Sequence, residues 1–191
     1  VMEFFTELDL NDRPISSKSN LNKIRATGFS TGVVYGKNID SKAVQIKSEI
    51  INSVIKNPSA MSLIYKLSIN QKEVYFAILK DIKFDLLSEN TIHFDFYIVE
   101  DNQSIIVNTP VKLENKNHSN VSKRGGVFDM LHYNIKIKTK AKNLPSVLIF
   151  DVSNLNIGEK MIAKRLTEDK IDIQCLNPEM IIFKAVGKKL P

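Results

Sequence analysis

Apolar and polar residues alternate over long stretches of this chain, and only two short segments carry helical spacing instead. L-I-Y-K-L-S-I at 63–69 and V-Y-F-A-I-L at 74–79 are separated by residues 70–73, which predicts an antiparallel hairpin. Residues 91–99 alternate around His93 and Asp95 and predict another strand, and Val33, Val34 and Tyr35 form a short apolar one. Further strands are predicted at 105–113, 128–142 and 146–152. Ser19 is placed to cap a short helix that turns Leu21 and Ile24 toward a core, and Gly28 falls where a left-handed residue would end it. Lys18, Asn22 and Arg25 lie along one stripe of that helix. A second helix is predicted at about 48–57, where Ile50, Ile51, Val54 and Ile55 recur at helical spacing and Pro58 prevents continuation.

At 100–104 the chain turns polar, E-D-N-Q-S, which divides it into candidate domains 1–99 and 100–191. The polar stretch N-K-N-H-S-N-V-S-K-R-G-G at 115–126 is long for a hairpin connection and predicts a mobile loop. No internal repeat or low-complexity tract is present.

With 191 residues, 43% of them hydrophobic and 25% charged, the chain can bury one good-sized core or two small ones. A single cysteine, Cys175, and three scattered histidines, His93, His118 and His132, give neither a disulfide framework nor paired metal ligands. No cofactor or metal is implied. No window approaches a membrane-spanning length of apolar residues, and the opening V-M-E-F-F-T-E carries glutamates where a secretory signal would be basic. The expectation is a soluble, cytoplasmic protein without membrane contact; a presequence cleaved in an organelle is compatible with it.

Charge is unevenly placed. Residues 1–12 carry a net −4 and residues 13–47 a net +6, while the first 97 residues together net only +1. Positive potential focused on one segment is a sign of nucleic-acid contact. The remaining residues net +5, and their clearest feature is I-K-I-K-T-K-A-K at 135–142. Read as a strand, it sets Lys136, Lys138, Lys140 and Lys142 on one face, either to solvate that face and guard a sheet edge or to track phosphates.

Two signatures carry a family resemblance: R-A-T-G-F-S-T-G-V-V-Y-G at 25–36, and H-F-D-F at 93–96. In order and separation they resemble the 5S rRNA-binding domain of the bacterial large-subunit ribosomal protein numbered twenty-five. The second half resembles the added domain of the longer, CTC-type members, described as general stress proteins, through Gly125-Gly126, Leu144-Pro145 and D-V-S-N-L-N-I-G-E at 151–159. The resemblance implies a mainly β protein with a minor α component: a small N-terminal β-barrel with a few short helices, then a β-rich C-terminal domain. It implies a structural role in the large ribosomal subunit, where the first domain grips the loop E region of 5S rRNA in the central protuberance. The second domain would reach neighbouring ribosomal proteins and 23S rRNA, and outside the ribosome the chain would be a monomer.

By the same resemblance, the RNA-binding residues are Arg13, Lys18, Asn22, Lys23, Arg25, Tyr35, Lys80, His93 and Asp95. Lys23 and Asn22 stand where the family has arginine, and Lys23 keeps the charge without the bidentate fork. Thr31 replaces a proline and Gln71 a hairpin glycine, both expected to concern turns alone. Lys83 is either a neighbouring phosphate contact or a solvated side chain.

Other readings compete. Asp81, Asp85, Glu89 and Asp95, with His93 as base, would make an acid–base site only if folding gathered them in a water-poor cleft, and no nucleophile or phosphate-loop motif supports one. A free-standing tRNA-binding module similar to the anticodon-binding domain of glutaminyl-tRNA synthetase, or a stress-related protein-binding factor, are the alternatives.

Overall fold

The structure is a computed structural model that describes residues 5–15, 17–86, 90–168 and 172–187, with the side chain of Lys18 outside the described part. The chain divides into two compact units, Val1–Gln103 and Ser104–Pro191.

In the first unit, β1 (Thr6–Asp12), β2 (Phe29–Gly36), β3 (Ile39–Lys47), β4 (Ile64–Ile69), β5 (Glu73–Phe84) and β6 (Thr91–Ile98) form a closed barrel in the order β1-β3-β2-β6-β5-β4. β1 pairs with β4 and β2 with β6 in parallel; the other pairs are antiparallel. Helix α1 (Lys18–Ala26) joins β1 to β2, and α2 (Ser48–Ile55) follows β3. The core is filled from every wall by such residues as Leu10, Ile46, Tyr65, Leu67, Leu79, Phe94 and Phe96, with Ile51 and Val54 of α2 in the same cluster. Tyr65 lies edge-on to Phe96 at 5.5 Å and donates its buried hydroxyl to the Ala60 carbonyl at 2.8 Å.

The hairpin β4–β5, both helices and β6 match the expectations from periodicity. β1 and β3 escaped them. Each buries only two side chains, Leu8 with Leu10 and Val44 with Ile46, too short an apolar pattern to mark a strand alone. The start of α1 also differs. Leu21 N–H donates to the Ser17 carbonyl at 3.1 Å, so Ser17 occupies the N-cap position and Ser19 lies inside the helix. Gly28 ends the segment at φ +83°, as expected.

In the second unit, β7 (Ser104–Glu114) is followed by α3 (Asn120–Lys123), β8 (Val127–Met130), β9 (Asn134–Lys140), β10 (Leu148–Asp151), β11 (Lys160–Ile162), β12 (Ile173–Cys175) and β13 (Ile181–Val186). They form a four-stranded sheet, β10-β7-β9-β12, and a three-stranded one, β11-β13-β8. Phe150 of the first meets Phe183 of the second at 6.0 Å, within a core that includes Ile135, Ile137, Leu148 and Ile182.

Three expectations are corrected here. The strand expected at 128–142 is two strands in different sheets: the Leu131 and His132 amides both donate to the Ile182 carbonyl, which holds β8 on β13 while the chain leaves for β9. The 115–126 stretch is folded: Ser119 caps α3 by accepting from the Ser122 amide at 3.1 Å, and Val121 is fully buried. The lysine-bearing strand β9 is interior to its sheet, so its lysines guard no edge, and Lys142 leaves their row in a 3-10 turn, Ala141–Asn143.

Candidate nucleic-acid interface

The parallel pairing of β2 with β6 brings the two sequence signatures together. Thr31 stands opposite His93, Gly32 opposite Phe94, Val33 opposite Asp95, and Tyr35 opposite Tyr97. Gly32 owes its identity to this contact, because a Cβ there would lie 2.2 Å from the Phe94 ring. Strand alternation buries Val34, Phe94 and Phe96 in the barrel and leaves Tyr35, His93, Asp95 and Tyr97 on its outer wall.

Within that wall the His93 ring has a polar neighbour at each nitrogen. Nδ1 lies 3.0 Å from the Thr31 carbonyl, an acceptor only, so it is the ring nitrogen that donates. Nε2 then sits 3.5 Å from an Asp95 oxygen, with both side chains about one-third exposed. Tyr35 packs edge-on to Tyr97 at 5.5 Å, and the Tyr97 hydroxyl accepts from the Gln103 carboxamide at 2.9 Å. Burial first, then the neighbouring Asp95 carboxylate, raises the Tyr35 phenol above its ordinary range. The face thus offers a phenol donor and a carboxylate acceptor side by side.

Arg25 joins α1 to this wall. Its Nε donates to the Ile92 carbonyl at 3.2 Å, one Nη to the Asn22 carboxamide oxygen at 3.3 Å, and the other to the Thr31 hydroxyl at 3.3 Å. Thr31 in turn donates to the Ile92 carbonyl at 3.1 Å. The residue expected to concern a turn alone is a buried member of β2, and the two departures at Asn22 and Thr31 are both partners of Arg25. Arg13, half-buried, donates from Nε to the Val44 carbonyl at 3.1 Å. Burial, and secondarily the charge of Arg25, lowers the Arg13 guanidinium below its usual range. A groove of about 340 Å³ lies beside Arg25 and Asn22, lined also by Asp85, Asn90 and Thr91.

The structure therefore gathers Arg25, Asn22, Tyr35, His93 and Asp95, with Arg13 close enough to feel Arg25. Lys23 is exposed on α1, and Lys18 opens that helix with its side chain outside the described part. Lys80 is exposed on β5, one residue before Asp81, which pairs across strands with Asp95. Three further residues share the wall: Tyr97, Asp81 and Lys83, the last opposite His93. Tyr97 was legible in principle, since it has the same strand parity as His93 and Asp95. Among the described residues no three His, Cys, Asp or Glu side chains are grouped to hold a metal, and Glu89 lies outside them.

Two family models match successive parts of this chain: one described as the Ribosomal L25p family over residues 8–96, the other as the C-terminal domain of ribosomal protein TL5 over 104–189. The chain is 30% identical over 152 residues to a large ribosomal subunit protein bL25 of Geobacillus sp., covering 80% of this chain and 70% of the relative. The chain belongs to the bL25 family. A bL25 protein of Oceanobacillus iheyensis is 29% identical over 155 residues, covering 81% of this chain and 70% of that one. One from Fervidobacterium nodosum is 25% identical over 183 residues, covering 92% and 82%. Alignments of this reach span both units, as in the longer type of bL25. The L25p match covers the barrel with both of its signatures, and the TL5 match the two-sheet unit.

Proposed function

We propose that this protein is a non-enzymatic structural constituent of the large ribosomal subunit, whose barrel unit grips the loop E region of 5S rRNA. The observation that carries the reading is the union of the two signatures in one wall, with Arg25 of the basic segment bonded to the backbone of the H-F-D-F strand. A-form RNA hides its base edges in a deep, narrow major groove, so a protein must read the shallow minor groove or a distorted internal loop. A convex barrel wall presenting Tyr35, His93 and Asp95 suits such a surface: the phenol donates to phosphate or sugar, and the carboxylate accepts from base amino groups or 2′-hydroxyls. Arg13, Lys18, Lys23 and Arg25 supply the attraction to phosphates, with Lys80 beyond the Asp81–Asp95 pair.

The second unit extends the chain toward neighbouring rRNA or ribosomal protein. Relatives named as large ribosomal subunit proteins, all from bacteria, favour a cytoplasmic ribosome as the site of action and give no support to the tRNA-module, stress-factor or enzyme readings. Equilibrium binding of the full chain to a loop E fragment and to a tRNA tests the proposal. Tight, selective binding to loop E is expected; equal affinity for both would refute it. His93→Ala should weaken loop E binding about tenfold, while the loss of its bond to the Thr31 carbonyl lowers the thermal transition only slightly and leaves the barrel folded.

A further inference from the structure

We propose that the outer face of the four-stranded sheet in the second unit binds single-stranded RNA, with the lysine row of β9 on successive phosphates and an adjoining cavity holding one unstacked base. The inference rests on the ribosomal reading for its supply of RNA, yet its test is separable from that of the barrel.

Asn134–Lys140 alternates strictly, with Ile135, Ile137 and Thr139 buried and Lys136, Lys138 and Lys140 exposed. Alternate residues of a strand lie about 7 Å apart, so the three ammonium stems stand in an evenly spaced line. Acids across the strands would stabilise such a row and neutralise it. Here the cross-strand partners are neutral: Asn108 opposite Lys136, Ile106 and Gln174 on either side of Lys138, and Ser104 opposite Lys140. Asp172, 4.0 Å from the Lys140 ammonium, is the one carboxylate within ion-pair distance of the row among the described residues. The paired acids Glu114 and Asp151 sit at the far end of β7, six residues beyond Asn108. The face therefore keeps a positive line in which Lys140 alone has an acidic partner and Lys136 and Lys138 have none across the strands.

The cavity is an independent observation on the same face. It measures about 260 Å³ and is lined by Asn108, Asn134, Lys136, Leu176, Asn177 and Met180. Three carboxamides there can donate to and accept from a base edge, and Leu176 and Met180 offer apolar surface to its faces. Because Lys136 both begins the row and lines the cavity, a phosphate on that lysine brings its own base to the opening. A paired base cannot enter, so the geometry calls for a single strand, loop or bulge.

The test uses the full chain with the barrel saturated by unlabelled loop E fragment, and a labelled unstructured ten-nucleotide RNA, intact or with one abasic position, as the probe. Replacing all three lysines (Lys136→Gln, Lys138→Gln, Lys140→Gln) should lower affinity for the probe at least tenfold and flatten its log–log salt slope by about 2, with loop E binding unchanged. Asn134→Ala with Asn177→Ala should retain the salt slope and lose the preference for intact over abasic RNA. An unchanged affinity and slope in the lysine variant would overturn the proposal and leave an acidic protein surface as the partner. Equal binding of intact and abasic probe by the unmodified protein would overturn the base cavity. Failure of loop E itself to bind counts against the barrel reading alone.

Discussion

Arg25 donates from its Nε to the backbone carbonyl of Ile92 across 3.2 Å, which makes a residue of the basic helix a strut to the strand that carries His93. The same guanidinium reaches Asn22 and Thr31, so it is positioned before any RNA arrives. Preorganisation lowers the entropic cost of binding, so under the proposed function this network would offset the lack of a positive charge at Asn22.

Arg25→Ala should therefore cost RNA affinity and about 0.5–1 kcal/mol of stability, because the Ile92 carbonyl loses its Arg25 donor but keeps the Thr31 hydroxyl. Arg25→Lys should recover part of the phosphate attraction but not the three-way bonding. Denaturant melts alongside loop E titrations separate the two effects: a variant that loses affinity with an unshifted midpoint would show that the strut contributes nothing.

Much of the barrel is legible in the sequence. The hairpin, α2 and β6 declare themselves by period, and the basic segment by charge. What periodicity could not supply was the partner of each strand. β2 and β6 lie some sixty residues apart, and nothing local in 25–36 shows that Gly32 is small because Phe94 packs against it. The role of Thr31 was hidden for the same reason, since its bonds to Arg25 and Ile92 exist only once helix and strands have closed. In the second unit the apolar positions change phase between Met130 and Leu131, a local sign of the bend at 131–133 that a single strand over 128–142 passes over.

Gly32→Ala should destabilise the barrel by about 3 kcal/mol, an overpacking cost. The added methyl would meet the Phe94 ring at 2.2 Å and the Phe94 carbonyl at 2.5 Å, and backbone cannot swing aside. A thermal transition unchanged by this substitution would rule out the strand pairing as described.

Tyr65 gives the fold an alkaline limit. Burial raises its phenol above the ordinary 10.0, so the folded protein holds this proton where the unfolded chain releases it. Its contribution is fully present below pH 10 and falls as pH rises beyond, toward the folded value. Tyr65→Phe should lower stability at neutral pH by about 1–2 kcal/mol through the Ala60 carbonyl, and should flatten the alkaline decline. Melting curves from pH 8 to 11 check both effects.

Thr109 is wholly buried on β7, and its hydroxyl has no hydrogen-bond partner among the described residues. Removing a buried, unpaired hydroxyl while keeping the branched shape should stabilise the second unit, so Thr109→Val is expected to raise its stability by about 1 kcal/mol. A lowered melting point would mean that the hydroxyl is paired after all.

The central claim is that loop E RNA lies on the wall where β2 meets β6. Ultraviolet cross-linking of the full chain to a loop E fragment, with the linked peptides identified by mass spectrometry, tests it most directly. Cross-links at Tyr35, His93 and Tyr97 are predicted, with competition by unlabelled loop E but not by tRNA. Cross-links confined to α2 and the β4–β5 hairpin, with none on β2 or β6, would contradict the account.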